Sequence, residues 1–587
     1  MTNYQLPLLL VWIAVGSSLR FTHLTAKSPW TDEFSTVVFS LGNSFQSVPL
    51  DRVITADALL QPLQANSEAG IADVIHHLLT ESNHPPLYFV LAHLWMKVFI
   101  FPLASLVDGG TDKYMWFWAA RSLPTLFGVA SIPAVYGLSK IAFRSPVIAQ
   151  LSAAMMAVSP YGIYLAQEAR HYTLAILFVI ASFCYLVVAA RHIQHQKPLS
   201  LWMALTWTLI NILGISTHYF FALTLCAEAM VLLVLTWHQR ARLGDKEELT
   251  ANNLIPLSPK TPIPNPQSLI PLIAVAASTL VGGLVWLPIW FNNYNNELTQ
   301  WIYTDKRLGW AWISPVFQVI ADWMTGICLL PVEASNPTVV IISAAVTDIF
   351  FLWTLPIFYR GLKAQLHHTL DTGLATQVLG GVVGSAIALF FVFTYVLSIN
   401  LTWQARYHFV YFPAVIVLVG ASLAVCWNGG QESEQHPFLW SGSNGKTSVA
   451  LIWLIGLLSG ITVVCNLGYQ KYYRPDLFVP LIQQVAQVPV LIATTHKTHE
   501  QTGEMMGVAW ELKRSGLSVN PQFILAHQDK NSKAPTATFQ QTLNQLPRPF
   551  DLWLVNFHAP LRVYNCAAES QSLPAVKGYN YKLYHCL

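Results

Sequence analysis

Charged residues are scarce in this sequence. Only 10% of its 587 residues are Asp, Glu, Lys or Arg, while 54% are hydrophobic. A soluble domain is expected to be about one quarter charged. So little charge cannot cover a water-facing surface on a chain of this length. The composition therefore excludes an ordinary soluble protein and predicts an integral membrane protein.

Three further absences narrow the function. The net charge is +3 with no block of Lys and Arg, so nucleic acid is not an expected partner. The seven cysteines include no C-x-x-C pair, so zinc and thiol-redox chemistry have no support. No D-x-D motif is present, so a metal-held nucleotide-sugar site lacks its signature. We expect no required cofactor; a divalent metal is compatible with the sequence but nothing in it supports one.

Long apolar runs are present from the N-terminus to about residue 468, many of them reaching the roughly 20 residues that cross a membrane as a helix. They predict about eleven spanning helices, centred near Ile13, Ala130, Met156, Ile180, Thr208, Val231, Ala276, Val346, Ala386, Val417 and Gly456. Two more apolar stretches, 84–102 and 310–330, contain Pro, His or Asp and could raise the count to about 13. Residues 6–15 lack a basic n-region, which favours an uncleaved first helix; a removed signal peptide is the alternative.

Basic residues in short loops predict the orientation, because cytoplasmic loops are enriched in Lys and Arg. Four basic turns are present: Lys140 with Arg144, Arg191 with Lys197, Arg240 with Arg242, and Arg360 with Lys363. Placing all four inside puts a first loop, at about 24–120, on the extracytoplasmic side together with the C-terminal tail. This arrangement requires that 84–102 makes no net crossing, so we expect a juxtamembrane or re-entrant helix pair there.

The tail, residues 469–587, is polar enough to be soluble and predicts a second domain after a membrane domain of residues 1–468. Short β-like runs at 488–494, 523–526, 551–557 and 579–584 alternate with a helical stretch at 504–514. This pattern is typical of a small α/β domain. In an extracytoplasmic compartment Cys566 and Cys586 could form a disulfide.

Charged and polar residues collect in segments predicted to lie outside. The segments contain Trp30-Thr31-Asp32-Glu33, Asn83-His84-Pro85-Pro86, Arg121-Ser122, Gln167-Glu168-Ala169-Arg170-His171-Tyr172, Thr217-His218-Tyr219 and Arg406-Tyr407-His408. Arginines in such a cluster could bind a phosphate, and the acidic pair could activate an acceptor. Structural alternatives stay open for each group: a solvated loop end for the acidic pair, arginines that reach lipid headgroups, and histidines that only pack.

The order of these motifs carries a resemblance. W-x-D-E, N-H-P-P-L-Y, A-R-S-L-P, S-P-Y-x-x-Y-x-x-Q-E-A-R-H-Y, T-H-Y and R-Y, between Trp30 and about Pro413, resemble bacterial membrane glycosyltransferases of the GT-C fold, of the protein O-mannosyltransferase and aminoarabinose-transferase type. The resemblance implies an all-α polytopic fold in the bacterial plasma (inner) membrane, with a small α/β extracytoplasmic tail. It also implies a polyprenyl-phosphate-linked sugar donor and inversion at the anomeric carbon.

The resemblance assigns roles by motif position. Asp32 is implied as the catalytic base, with Glu33 beside it as support or alternate. The candidates for binding the donor phosphate and sugar are His84, Arg121, Glu168, Arg170, Tyr172, His218, Arg406 and Tyr407. The acceptor stays open among protein, lipid and polysaccharide.

Two other classes of protein are the alternatives to a glycosyltransferase. A transporter or flippase of lipid-linked glycans would spread its charges across the membrane and show an internal repeat, and the sequence shows neither. A non-catalytic glycolipid-binding scaffold would carry the same residues, Asp32 included.

Overall fold

Helices dominate the structure, a computed structural model that describes the chain except residues 1–3, 105–112, 253–268, 294–296, 304–306, 308, 430–444, 517–520, 529–534 and 562. The helices are α1 (Gln5–Phe21), α2 (Thr31–Ser40), α3 (Ala56–Leu59), α4 (Ile71–Glu81), α5 (Leu87–Ala104), α6 (Lys113–Phe143), α7 (Pro146–Val158), α8 (Pro160–Ala166), α9 (Tyr172–Gln194), α10 (Leu201–Thr217), α11 (Phe221–Asn252), α12 (Ile270–Leu284), α13 (Leu287–Asn293), α14 (Trp310–Ile327), α15 (Pro337–His368), α16 (Leu370–Tyr395), α17 (Phe412–Asn428), α18 (Gly445–Val464), α19 (Pro475–Val485), α20 (His499–Arg514) and α21 (Pro535–Gln545). The strands are β1 (Ile54–Thr55), β2 (Val490–His496), β3 (Gln522–His527), β4 (Phe550–Val555), β5 (Cys566–Ala568) and β6 (Tyr581–Cys586).

Several helices can cross a membrane. Among the described residues, six are long and apolar enough: α6, α9, α11, α15, α16 and α18. The consecutive helices α7 and α8 form a seventh candidate that is bent by 56°. The remaining predicted centres lie in the shorter apolar helices α1, α10, α12 and α17. The predicted polytopic, mainly α-helical fold is therefore confirmed, and the chain is an integral membrane protein.

The two ambiguous stretches each form one helix. The stretch 84–102, predicted as a helix pair, is the single helix α5, which packs against α2 and α4. The expectation of a pair was wrong because the prolines at 85 and 86 precede the helix, where they do not interrupt it. The stretch 310–330 contains α14, which keeps Pro315 inside the helix.

The Cα positions divide the chain into two compact units. The membrane unit comprises Met1–Thr22, Pro124–Asn292 and Ile302–Tyr469. The loop-and-tail unit comprises His23–Leu123, Asn293–Trp301 and Gln470–Leu587. The first loop was predicted to belong to the membrane domain, whereas residues 23–123 group with the tail in one unit of the structure.

In the membrane unit, α9 connects two chemically different ends. Its 23 residues span about 34 Å at 1.5 Å per residue, enough to cross a hydrocarbon core. Tyr172 begins the helix. Near its other end Arg191 donates to the Ile141 carbonyl at 2.7 Å, and Arg144, in a neighbouring turn, pairs with Asp371 at 2.7 Å. Two of the predicted basic turns therefore lie at the end of α9 that is opposite to Tyr172.

Small residues let α17 pack closely against its neighbours. A Cβ added to Gly361, on α15, would lie 2.5 Å from the Cα of Ser422, on α17. A Cβ on Gly420 would likewise collide with Ser152, on α7. Close approach at small residues is a usual way for membrane helices to associate.

A buried arginine stabilises the bend between α7 and α8. The Arg20 side chain is 0% exposed, and its guanidinium donates to the carbonyls of Met156 at 2.8 Å and Ala157 at 2.9 Å. These carbonyls end α7 just before Pro160, so they lack the backbone N–H partners that a continuous helix would supply.

Replacing this arginine is expected to destabilise the membrane unit. In Arg20→Met the two carbonyls lose their donors, at about 1–3 kcal/mol each. The thermal unfolding midpoint of the purified chain in detergent should therefore fall clearly. Arg360→Met, at an exposed position on α15, is the matched control and should change stability by less than about 0.5 kcal/mol. Equal midpoints for the two variants would contradict this role of Arg20.

The tail is built on a mixed sheet. The strand order is β1-β3-β2-β4-β6-β5, with β3, β2 and β4 parallel and the other strands antiparallel to their neighbours. All four predicted β-like runs correspond to strands, and the predicted helical stretch lies in α20, so the α/β tail is confirmed. Three features were not predicted: β1 of the first loop joins one sheet edge, β5 forms the other edge, and α19 and α21 add helices. Cys566 and Cys586 form a disulfide between β5 and β6.

Glu504, on α20, makes the stability of the tail depend on pH. Its side chain is buried, and this burial raises its pKa to about 7. The unfolded chain keeps a pKa of about 4.3, so the folded state binds the extra proton between these values. Stability should therefore fall as the pH rises from about 4.3 to about 7, by at most about 4 kcal/mol.

The Glu504→Gln variant should lack this dependence. We expect the wild-type unfolding midpoint to fall relative to that of the variant as the pH rises from about 5 to about 7.5. Parallel curves for the two proteins would show that the carboxyl titrates in its ordinary range.

Candidate active site

Two neighbouring carboxylates begin α2. Trp30 is extended, with φ −121° and ψ 171°, and the helix starts at Thr31. Asp32 and Glu33 therefore occupy the first turn, where the helix dipole favours negative charge. Asp32 is half-buried, whereas Glu33 is 0% exposed.

Glu33 is held by Arg121 in a bidentate ion pair. The Arg121 Nε and Nη2 atoms donate to the two carboxylate oxygens at 2.7 and 2.8 Å. The Nη1 atom donates to the carbonyls of Leu24 at 2.8 Å and Lys27 at 2.9 Å. Arg121 is 1% exposed, and Lys471 Nζ lies 3.8 Å from Glu33. This geometry favours a role for the pair in positioning α2, and it leaves Asp32 as the more accessible carboxylate of the two.

His84 lies just before α5. Its Nδ1 is 3.1 Å from Ser82 Oγ, and its ring meets Phe89 edge to face at 5.9 Å between centroids. The ring is half-buried. With Asp32, Glu33 and Arg121, it completes the four predicted site residues that belong to the loop-and-tail unit.

The other six predicted residues belong to the membrane unit and are all buried. They are Glu168 (1% exposed), Arg170 (2%), Tyr172 (2%), His218 (9%), Arg406 (6%) and Tyr407 (7%). The first three lie in or next to the turn between α8 and α9, where the Arg170 N–H donates to the Glu168 carbonyl at 2.7 Å. His218 ends α10, and Arg406 and Tyr407 lie in the 3-10 segment Ala405–Val410.

Aromatic contacts join these separate segments. The ring centroids of Tyr172 and His218 are 5.4 Å apart, and both rings contact Phe409, at 5.9 and 4.9 Å. Phe220 lies 5.2 Å from His218 and 4.7 Å from Tyr407. The ends of α9 and α10 therefore meet the 3-10 segment in one cluster.

Tyr164, on α8, connects the charged members to this cluster. Glu168, Arg406 and Tyr172 all lie close enough to interact electrostatically with its hydroxyl. The Arg406 guanidinium lies 5.8 Å from the centroid of the Tyr407 ring. The membrane unit thus brings a carboxylate and an arginine together with tyrosine and histidine rings, away from water.

Sequence reasoning missed several residues near these sites. Lys471 follows the last apolar helix, and no motif distinguishes it. Asp322, on α14, lies 2.9 Å from His408 Nε2, and Tyr411 contacts the same histidine. The acidic residue inside an apolar run was a usable signal for Asp322, because such a charge is costly without a partner.

Metal ligands show no clustering in the part of the chain that the structure describes. No group of three or more His, Cys, Asp or Glu side chains there could hold a metal ion. The expectation that no metal is required stays a prediction.

Comparisons with known proteins give one family. Residues 73–304 match the family described as dolichyl-phosphate-mannose-protein mannosyltransferase. This match confirms, over that segment, the resemblance predicted from the motifs. The segment includes six of the ten predicted site residues: His84, Arg121, Glu168, Arg170, Tyr172 and His218.

Two solved structures are similar to this chain at low identity. A crystal structure of ArnT from Cupriavidus metallidurans bound to undecaprenyl phosphate is 12% identical, with 100% of this chain and 98% of that chain covered and a TM-score of 0.46. The apo structure of the same protein is also 12% identical, with 94% and 93% covered and a TM-score of 0.45. Both scores are below 0.5. No curated protein sequence matches the chain.

Proposed function

We propose that this protein is a membrane glycosyltransferase that moves a sugar from a polyprenyl-phosphate donor to an acceptor on the extracytoplasmic face. The family match over residues 73–304 supports a lipid-phosphate sugar as donor. The observation that carries the catalytic assignment is the contrast between Asp32, which is half-buried, and Glu33, which is buried against Arg121. This contrast favours Asp32 as the group that meets the acceptor.

In this proposal, Asp32 is the general base of a single displacement. Its carboxylate takes the proton from the acceptor hydroxyl or amine while the acceptor atom attacks the anomeric carbon. The bond from that carbon to the phosphate oxygen breaks, and the polyprenyl phosphate leaves with the electron pair. One attack inverts the anomeric centre, unlike the two-step mechanism of retaining glycosidases. Because a phosphate is already a good leaving group, the step requires no cofactor.

Arg170 and Arg406 are the proposed phosphate-binding groups. Both side chains are buried, so water screens their charges little. Negative charge grows on the departing phosphate, and fixed cations stabilise such charge most strongly in a water-poor site. Tyr172, His218 and Tyr407 would line the sugar, and Glu168 would orient one arginine.

The extracytoplasmic orientation rests on two observations. The basic turns at Arg144 and Arg191 lie at the end of α9 that is opposite to Tyr172. The Cys566–Cys586 disulfide suits an oxidising compartment, such as the space outside a bacterial inner membrane.

Loss of either arginine should weaken donor binding. A charge-assisted hydrogen bond contributes about 1.5–3 kcal/mol, so Arg170→Gln and Arg406→Gln should each weaken the binding of radiolabelled polyprenyl phosphate by roughly 10- to 100-fold. The purified chain in detergent is the sample. Arg360→Gln, at an exposed position, is the control and should bind as the wild type does. Unchanged binding in both site variants would contradict the phosphate assignment.

A further inference from the structure

A cavity of about 530 Å³ lies in the tail. Its lining includes Tyr472, Gln501, Glu504, Asn556, Tyr579 and Asn580. Its volume falls in the range that small-molecule sites occupy. None of these residues belongs to the ten predicted site residues, so the cavity is a separate feature.

The sheet topology explains why a cavity forms there. The first parallel strand, β2, lies between β3 and β4, so the chain leaves β2 toward one side and later returns to its other side. Helix α20 connects β2 to β3, and α21 connects β3 to β4. Because connections between parallel strands are right-handed, the two helices are expected to cover opposite faces of the sheet. A crevice then remains beyond the carboxyl ends of β2 and β4. Ligands of open α/β sheets bind in such a crevice, at the carboxyl ends of the strands. Thr495, at the end of β2, and Asn556, just after β4, mark this point.

Hydrogen bonds fix the side chain of Asn556 in the wall of the cavity. This residue has a positive φ of 46°, which asparagine tolerates better than most residues. Its amide nitrogen donates to Glu504 at 3.2 Å and to the Gly578 carbonyl at 3.0 Å, and its amide oxygen accepts from the Asn580 N–H at 2.8 Å. The side chain is therefore fixed on both its donor and its acceptor side.

The polar groups of the cavity suit hydroxyl-rich ligands. The Tyr579 side chain is 5% exposed, and its hydroxyl has no hydrogen-bond partner within the described part of the chain. The Asn580 side-chain amide can both donate and accept, as sugar hydroxyls do. The Gln501 amide nitrogen can donate, because its oxygen already accepts from the Lys497 and Thr498 N–H groups. The Asn556 amide oxygen can accept a second hydrogen bond. The Tyr472 ring, at 59% exposure, offers an apolar surface for the C–H face of a sugar ring.

The charge of the cavity disfavours a phosphate or nucleotide. Lys497 and His558 are exposed, so water screens their attraction for an anion. The carboxyl of Glu504 is buried in the wall, where its charge is screened less. A carboxylate repels a bound anion, and a protonated carboxyl donates to a neutral hydroxyl. Burial raises the Glu504 pKa to about 7, so both forms are present near neutral pH.

We propose that this cavity at the ends of β2 and β4 is a saccharide-binding site. The saccharide that binds there is assigned to the glycan part of the acceptor, and this assignment rests on the proposed transferase function. Saccharide binding does not depend on the transferase function, because the cavity and its polar groups are complete within the tail.

The test is saturation-transfer NMR on the full chain in detergent, with glucose, mannose, N-acetylglucosamine, glucosamine and arabinose as probes and AMP and inorganic phosphate as competitors. At least one saccharide should receive saturation. Tyr472→Ala and Asn580→Ala should each weaken that binding about tenfold. The matched controls are Tyr564→Ala, which removes a ring of 56% exposure outside the cavity, and Asn544→Ala, at an exposed position on α21.

Each outcome decides the proposal. Saccharide binding that is weakened by the two cavity variants and kept by the two controls supports it. No binding of any probe sugar, equal binding by all four variants, or displacement by AMP or phosphate overturns it. Sugar transfer from a lipid donor, measured on the same samples, tests the transferase function separately, because transfer without saccharide binding would overturn only this inference.

Discussion

Asp32→Asn is expected to abolish sugar transfer while donor binding stays at the wild-type level. The substitution keeps the size of the side chain but removes its ability to take a proton, and positioned general bases contribute about 10²- to 10⁴-fold in rate. The measurement is the transfer of radiolabelled sugar from a polyprenyl-phosphate donor by membranes that contain equal amounts of each protein. A separate binding assay with labelled polyprenyl phosphate reports on the donor.

Asp57→Asn is the matched control for this variant. Asp57 belongs to the same unit, on α3, and its side chain is 78% exposed. Transfer by this control should equal that of the wild type. Undiminished transfer by Asp32→Asn would exclude Asp32 as the base and make Glu33 the next carboxylate to test.

Breaking the Glu33–Arg121 pair is expected to cost about 3–5 kcal/mol of stability, because each single replacement leaves one buried charge without its partner. Glu33→Met and Arg121→Met should therefore each lower the thermal unfolding midpoint of the purified chain strongly. The double variant should be more stable than either single variant, because it replaces both charges of the bidentate pair with apolar side chains of similar volume. Lys471, 3.8 Å from Glu33 in the wild type, keeps its contact with the Trp30 ring in all three variants. The double-mutant cycle of these variants gives the coupling free energy of unfolding between Glu33 and Arg121.

An exposed ion pair of the same unit provides the comparison. Lys513 and Asp57 form a pair in which the acidic side chain is 78% exposed. Lys513→Met should cost less than about 1 kcal/mol, as surface pairs usually do. If Arg121→Met were no more costly than Lys513→Met, the buried pair would not stabilise the start of α2.

Sequence reasoning predicted the helices and the tail strands well, because both depend on local pattern. Apolar windows gave the centres of the membrane helices, and β-rich runs gave β2, β3, β4 and β6. The same reasoning could not show that β1 pairs with β3, because Ile54 and Phe523 are hundreds of residues apart and nothing local specifies their pairing. The joining of the first loop with the tail was missed for the same reason.

The candidate site was predicted as a set of residue types, but their relations came from the structure. The sequence placed Glu33 beside Asp32 and offered both for catalysis. Only the position of Arg121, 88 residues away, shows that one carboxylate is buried in an ion pair and the other is not. The cavity around Asn556 escaped prediction as well, because it depends on strand order and on a turn after β4.

The most direct test of the proposed function follows the fate of a polyprenyl-phosphate sugar with label in its sugar. The purified chain is reconstituted in vesicles and supplied with lipid, polysaccharide and protein fractions of a bacterial envelope as acceptors. We predict that label leaves the donor, that free polyprenyl phosphate appears, and that the label becomes covalently attached to an acceptor only when Asp32 is intact. A donor that stays whole and moves between leaflets would instead show a flippase, and a donor that stays bound and unchanged would show a non-catalytic scaffold.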